Sequence, residues 1–246
     1  MKRIKLVVAY DGTCYHGCQI QPNAITVEGV LNQALSELLG EEIMVAGTSR
    51  TDAGVHAYGN VAVFDSETRI PGEKISYALN QRLPEDIVIQ SSEEVSPEFH
   101  PRYQKSDKTY EYRILNRKFP LPIERKYAHF VYETLDIDGM REAAAYLVGE
   151  HDFASFCSAG SQVQDTVRTI NFLEIEERGD LLCIRINGNG FLYNMVRIIA
   201  GTLLQVGSGV REPISVKEAL EAKNREAAGP TAPAKGLHLL EIHFKG

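Results

Sequence analysis

The order in which period-two and period-3.6 segments follow one another constrains this chain most. Residues Lys2–Tyr10 alternate apolar and polar side chains, the pattern of a strand with one buried face. Thr26 then offers a hydroxyl to cap a helix running from Val27 towards Leu39. That helix has an apolar stripe of Val27, Val30, Leu31, Ala34, Leu35, Leu38 and Leu39, with Glu28 near its positive end and Gly40 as its stop. Strand-like stretches follow at 43–48 and 58–64, then a short helix at 73–82 ahead of Pro84, and a strand at 86–94. Strand, helix, strand, strand, helix, strand is the order of a split βαβ, ferredoxin-like unit.

The second half repeats that order. Residues 108–116 read as a strand rich in Tyr and Ile, and Asp136 or Asp138 caps a helix ending near Gly149. Residues 167–177 and 181–187 predict a hairpin about Arg178-Gly179-Asp180. A strongly apolar helix is expected at 191–206, a short one at 215–223 and a last strand at 237–244. The expectation is an α+β chain of two tandem ferredoxin-like halves with largely antiparallel sheets and an active-site cleft between them. The halves would be 1–100 and 106–246, joined by the Pro- and Arg-containing stretch 97–106.

A chain of 246 residues, 43% hydrophobic and 24% charged, can bury a sizeable core. It has no apolar run long enough to span a bilayer, and its basic start runs straight into a strand, so a soluble cytoplasmic protein is expected. Cys14, Cys18, Cys157 and Cys183 suggest reduced thiols rather than a disulfide framework. Cys14 and Cys18 flank His16, but no second matched pair completes a structural zinc set, and no metal is expected. The net charge of −7 disfavours a nucleic-acid partner until its distribution is considered. Arg102, Lys105, Lys108, Arg113, Arg117, Lys118, Arg125 and Lys126 are opposed there only by Asp107, Glu111 and Glu124, with Tyr103, Tyr110 and Tyr112 interleaved. Such a stretch suits phosphate contacts with base stacking, or equally a lysine-guarded strand edge.

The most informative segment is Gly47-Thr48-Ser49-Arg50-Thr51-Asp52-Ala53-Gly54-Val55-His56-Ala57. A carboxylate among small residues can be presented at a loop tip, and one kept ionised by a nearby arginine can serve as nucleophile or base. Taken alone, the same residues make an ordinary Asx-turn. The whole segment resembles the active-site signature of the tRNA pseudouridine synthase A family. Four further stretches resemble that family in order: Tyr10-Asp11-Gly12-Thr13 with Gly17-Cys18-Gln19, Gln21 and Thr26-Val27-Glu28-Gly29; Lys105-Ser106-Asp107-Lys108-Thr109-Tyr110-Glu111-Tyr112; Phe191-Leu192-Tyr193-Asn194-Met195-Val196-Arg197; and Ala232-Pro233-Ala234-Lys235-Gly236-Leu237-His238-Leu239. Cys18 departs from the pattern, since many relatives carry Trp there.

The resemblance implies conversion of uridine to pseudouridine at positions 38 to 40 of the tRNA anticodon stem-loop, by a homodimer that needs no metal or organic cofactor. It implies Asp52 as the catalytic carboxylate and Arg197 as the arginine that pairs with it. Tyr110 would stack on a flipped uracil and assist proton transfer. Arg50 would fill the vacated stack or grip a phosphate, and Leu237 would wall the base pocket. His56 is expected to be structural.

Other readings are weaker. Asp11-Gly12-Thr13 resembles part of a phosphoryl-transfer loop, but Ala9 stands where its nucleophilic aspartate would be. Gly188-Asn189-Gly190 lacks the third glycine of a dinucleotide loop. A hydrolase pairing Asp52 with His56 lacks an identifiable water-activating partner. The main alternative is a non-catalytic RNA-binding module of the same fold, which loss of Asp52 or Arg197 would mark; both are present.

Overall fold

The computed structural model describes residues 1–160 and 163–245. Its elements are β1 (Lys2–Tyr10), α1 (Val27–Leu39), β2 (Ala46–Gly47), β3 (His56–Ser66), α2 (Gly72–Leu79), β4 (Ile87–Val95), β5 (Ser106–Asn116), β6 (His129–Val131), α3 (Ile137–Ala145), β7 (Gly149–Asp152), β8 (Val167–Arg178), β9 (Leu181–Gly188), α4 (Met195–Gly207), α5 (Ser215–Ala222) and β10 (Leu237–Phe244). The chain divides into two compact units, Met1–Lys105 with Leu239–Gly246, and Ser106–His238. The last strand, counted with the second half by element order, thus places its residues from Leu239 onward in the first unit.

In unit 1 the strand order is β4-β1-β3-β10, with β2 also paired to β3. β1 lies antiparallel to both β3 and β4, and β2 antiparallel to β3. This is the split βαβ arrangement that the element order predicts. Alternation along β1 buries Ile4, Leu6, Val8 and Tyr10. Leu31 and Leu35 of α1 and Ile75 and Leu79 of α2 join them in the core. The cap of α1 is as read: the Thr26 hydroxyl accepts from the Gly29 N–H at 3.3 Å, and Gly40 closes the helix in the left-handed region. Such a cap is worth about 1 kcal/mol.

In unit 2 the order is β5-β9-β8-β7, all antiparallel, with β6 running parallel to β5. β8 and β9 form the expected hairpin, and Gly179 adopts a positive φ in its turn. Helix α3 packs on α4, α5 and β8, and α4 packs on β5. Asp136, one of the two expected caps, accepts from the Gly139 N–H at 3.0 Å. The α+β class with mostly antiparallel pairing is therefore as expected, and five α-helices are present among the described residues.

Helix α3 ends at Ala145 rather than near Gly149, and three further boundaries differ from expectation for local reasons. The strand read at 43–48 is paired only at Ala46–Gly47, because Asn32 and Ser36 of α1 take the amides of Val45 and Ile43 before the ladder can. The helix read at 73–82 is Gly72–Leu79, and the Asn80 side chain then turns to bond both main-chain groups of Ile89. The helix read from residue 191 starts at Met195. Asn194 has φ of 61°, which a right-handed helix cannot include, so Phe191–Tyr193 approach it as irregular chain.

Candidate active site

Asp52 lies in the loop between β2 and β3, where the sequence places it. The loop is irregular, yet its backbone is bonded almost residue by residue. Thr48 donates to the Val61 carbonyl at 2.8 Å, the last main-chain bond before the loop leaves β3. The Cys18 N–H donates to the Thr51 carbonyl at 3.1 Å, and the Gly54 N–H to the Tyr15 carbonyl at 3.2 Å. Within the loop, the Val55 N–H reaches back to the Asp52 carbonyl at 3.1 Å, and Gly54 takes a φ of 76° to allow that turn. His56 is 3% exposed, and its Nδ1 accepts from the Gly12 N–H at 3.1 Å. This bond ties the start of β3 to the Gly12 segment.

Two of the N-terminal motifs find their purpose here. Gly12 and Gly17 let their segments approach the loop closely: a Cβ at Gly12 would lie 2.0 Å from the Val55 carbonyl oxygen, and one at Gly17 2.7 Å from that of Thr51. Glu28, buried in the first turn of α1, accepts from the Ile20 N–H and from the Gly47 N–H, and burial pushes its carboxyl above the usual carboxylate range. Arg102 donates to the Gly47 carbonyl at 2.9 Å. The loop's entrance is thus held from both sides. The result is a half-exposed Asp52 beside a buried Thr51 and an exposed Ala53. Arg50, in the same loop, is exposed.

Tyr110, Arg197 and Leu237 belong to unit 2. Tyr110 is opposite Ile186 in the β5–β9 ladder, is 9% exposed, and meets Phe191 edge to face with ring centroids 5.3 Å apart. Arg197 opens α4, one turn beyond the left-handed Asn194. Its Nη1 donates to Asn194 Oδ1 at 2.7 Å and its Nε to the Ala232 carbonyl at 2.8 Å, while the Ala232 N–H returns a bond to the Arg197 carbonyl. Segment 228–237 lies against α4 because Gly201 has no side chain: a Cβ there would lie 1.9 Å from the Pro230 carbonyl oxygen. Thr202 completes the seam by accepting from the Gly229 N–H at 2.9 Å. Further on, the Tyr112 hydroxyl donates to the Pro233 carbonyl, and Gly236 sits on the Tyr112 ring. Burial raises the Tyr112 hydroxyl pKa well above the ordinary tyrosine value. Leu237, the next residue, is 6% exposed. Leu237 is therefore tied, through segment 228–237, to the helix that carries Arg197.

The basic stretch 102–126 is less available than its sequence suggests. Tyr103 is exposed, but Tyr110 and Tyr112 are buried, so the three tyrosines do not form one stacking strip. Arg113 is bound to Glu111 at 2.7 Å and Arg117 to Asp180 at 3.0 Å. The four cysteines are free thiols, with Cys14 exposed. Among the described residues no group of three or more His, Cys, Asp or Glu side chains is placed to hold a metal ion, and no helix is long and apolar enough to cross a membrane. The residue that the sequence reading missed is Asn60, 3% exposed on β3 beside the Asp52 loop. Its place among the largely apolar residues of 57–64 was its only signal.

A half-exposed carboxylate on a pinned loop, within a split βαβ unit, marks a class of protein able to present an aspartate to a substrate. The comparison with known proteins names it: residues 6–104 and 143–245 match the family model described as tRNA pseudouridine synthase, and the chain belongs to that family, an isomerase. It is 50% identical to tRNA pseudouridine synthase A of Brevibacillus brevis over 99% of this chain and 100% of that one. The same name and coverage hold for the protein of Ruminiclostridium cellulolyticum at 50% identity. A Thermoanaerobacter relative of that name is 49% identical, with the same coverage.

Proposed function

We propose that this enzyme isomerises uridine to pseudouridine in the anticodon stem-loop of tRNA, at positions 38, 39 and 40, with Asp52 as the nucleophile. The observation that carries the reading is the Asp52 loop: its main chain is bonded to Cys18 and Tyr15, and its carboxylate is left half-exposed. In the reaction the bond from uracil N1 to the ribose breaks and one from C5 forms, so C5 loses a proton and N1 gains one. A carboxylate can carry the detached fragment as a covalent adduct while the base turns, as in glycosyl transfer. Arg197 keeps that carboxylate ionised. Tyr110 supports the flipped base and takes part in the C5 proton transfer, Leu237 walls the base, and Arg50 fills the gap or holds the adjacent phosphate. No metal or organic cofactor enters this scheme, and the enzyme works as a cytoplasmic homodimer.

The test uses tRNA tritiated at uracil C5. The wild-type protein releases tritium without added cofactor, and Asp52→Asn and Asp52→Ala release none above background. Full release by either variant sinks the assignment of Asp52, while tRNA binding without release by the wild type favours the non-catalytic RNA-binding module. Light scattering checks the dimer, which fails if only the 27.4 kDa monomer is seen.

A further inference from the structure

We infer that Asn60 is the positioning residue for the Asp52 loop, setting the nucleophile's backbone without touching substrate; this rests on the reading of Asp52 above. The regular ladder between β2 and β3 pairs Ala46 with Val63 and Gly47 with Ala62, and Thr48 adds a bond to Val61. At the next rung the backbone diverges and the Asn60 side chain takes over. Its Oδ1 accepts from the Ser49 N–H at 3.3 Å and its Nδ2 donates to the Ser49 carbonyl at 3.0 Å. The carboxamide thereby imitates a strand neighbour for one residue. Its orientation is not interchangeable, because Oδ1 also accepts from the Val61 N–H at 2.9 Å, and a flipped amide would turn N–H groups towards two donors.

Nδ2 reaches further, to the Tyr10 hydroxyl at 3.1 Å and to Cys18 Sγ at 3.4 Å. Tyr10 in turn shares a 2.7 Å bond with the Thr51 hydroxyl. One buried amide therefore holds Ser49 directly and Thr51 through one intermediary, on the approach to Asp52. Among the described residues the buried Ser49 hydroxyl has no hydrogen-bond partner, so this residue is located by its main chain, to which Asn60 gives two bonds. Misplacement of a reacting group by about 1 Å can cost on the order of 100-fold in rate.

The experiment compares wild type with Asn60→Asp and Tyr10→Phe. It measures single-turnover tritium release, tRNA affinity, thermal melting and hydrogen exchange of the amides from Ser49 to Asp52. The expected result at neutral pH is a loss of about 10- to 100-fold in single-turnover rate for Asn60→Asp, with tRNA affinity within about threefold. A smaller loss is expected for Tyr10→Phe, which cuts only the arm to Thr51. Exchange at the loop amides should rise in both. A protonated carboxyl can donate where the amide did, so the ratio of N60D to wild-type rate should climb as pH falls from about 8 to about 5.5. A purely structural role would leave that ratio flat. The inference is overturned if both variants turn over at the wild-type rate with unchanged loop exchange. It is equally overturned if rate, affinity and melting temperature fall together with a flat ratio. Absence of tritium release from the wild type would instead overturn the proposed reaction, and loop exchange alone would then decide whether Asn60 pins the loop.

Discussion

The loop that carries Asp52 is irregular backbone bonded from Tyr15, Cys18, Asn60 and Val61, whereas Tyr110 sits within an eleven-residue strand that β9 holds in register. Beyond its entrance, the loop depends on neutral, buried hydrogen bonds drawn from 10–18 and from β3. The strand depends on its ladder, with charge on the flanking position: Glu111, 2% exposed, is gripped by Arg113 at 2.7 Å and by Arg178 at 2.9 Å. The loop takes its holding bonds from irregular distant segments, whereas the strand takes them from the regular main-chain ladder with β9. This is why the Asp52 motif comes with an N-terminal companion, while Tyr110 is embedded in a short run.

The comparison can be broken at several points. The largest effect is expected for Tyr110→Phe, which should keep tRNA binding and melting temperature but lose about 100-fold in turnover, equivalent to about 2.7 kcal/mol of barrier. A fall in melting temperature instead would show that the strand needs the hydroxyl for its own placement. Glu111→Gln should cost about 2 kcal/mol in denaturant unfolding, because two arginines lose a buried charged partner. Turnover at a temperature where the variant is folded should be unchanged; a drop would mean that the ladder alone does not position Tyr110.

Smaller still is Thr26→Ala, expected to lower stability by about 1 kcal/mol through loss of the α1 cap. Since α1 carries Glu28, which holds the amides of Ile20 and Gly47, faster hydrogen exchange at Gly47 would tie the helix to the loop. The least effect is expected for Asp65→Asn, up to about 1 kcal/mol at neutral pH. The hydrogen bonds from Arg3 hold the Asp65 carboxyl below its ordinary range. A depressed carboxylate contributes fully above its unfolded value, and the contribution disappears as pH falls through the lower folded value. Urea melts of wild type and variant should therefore converge in acid; a gap that persists there would point to a cause other than the ion pair.

Periodicity, caps and turn glycines are local properties, and they determined much of this protein by themselves. The strand at Lys2–Tyr10, the Thr26 cap with its Gly40 stop, the hairpin at Gly179 and the position of Asp52 between two strands were all legible in order along the chain. The run of motifs pointed to the family, because residues serving one site are constrained together even when they lie far apart in sequence. Tertiary structure alone decided the rest. Asn60 sits in an apolar run, and only the divergence of β2 from β3 gives its amide a backbone to bond. Asn194 delays α4 by taking a left-handed turn and giving its side chain to Arg197. Tyr110 and Tyr112 are buried, where their place among cations left base stacking and core packing equally open. In each case the outcome depended on which hydrogen-bond partner or packing surface arrived from elsewhere in the chain, and no local pattern records that.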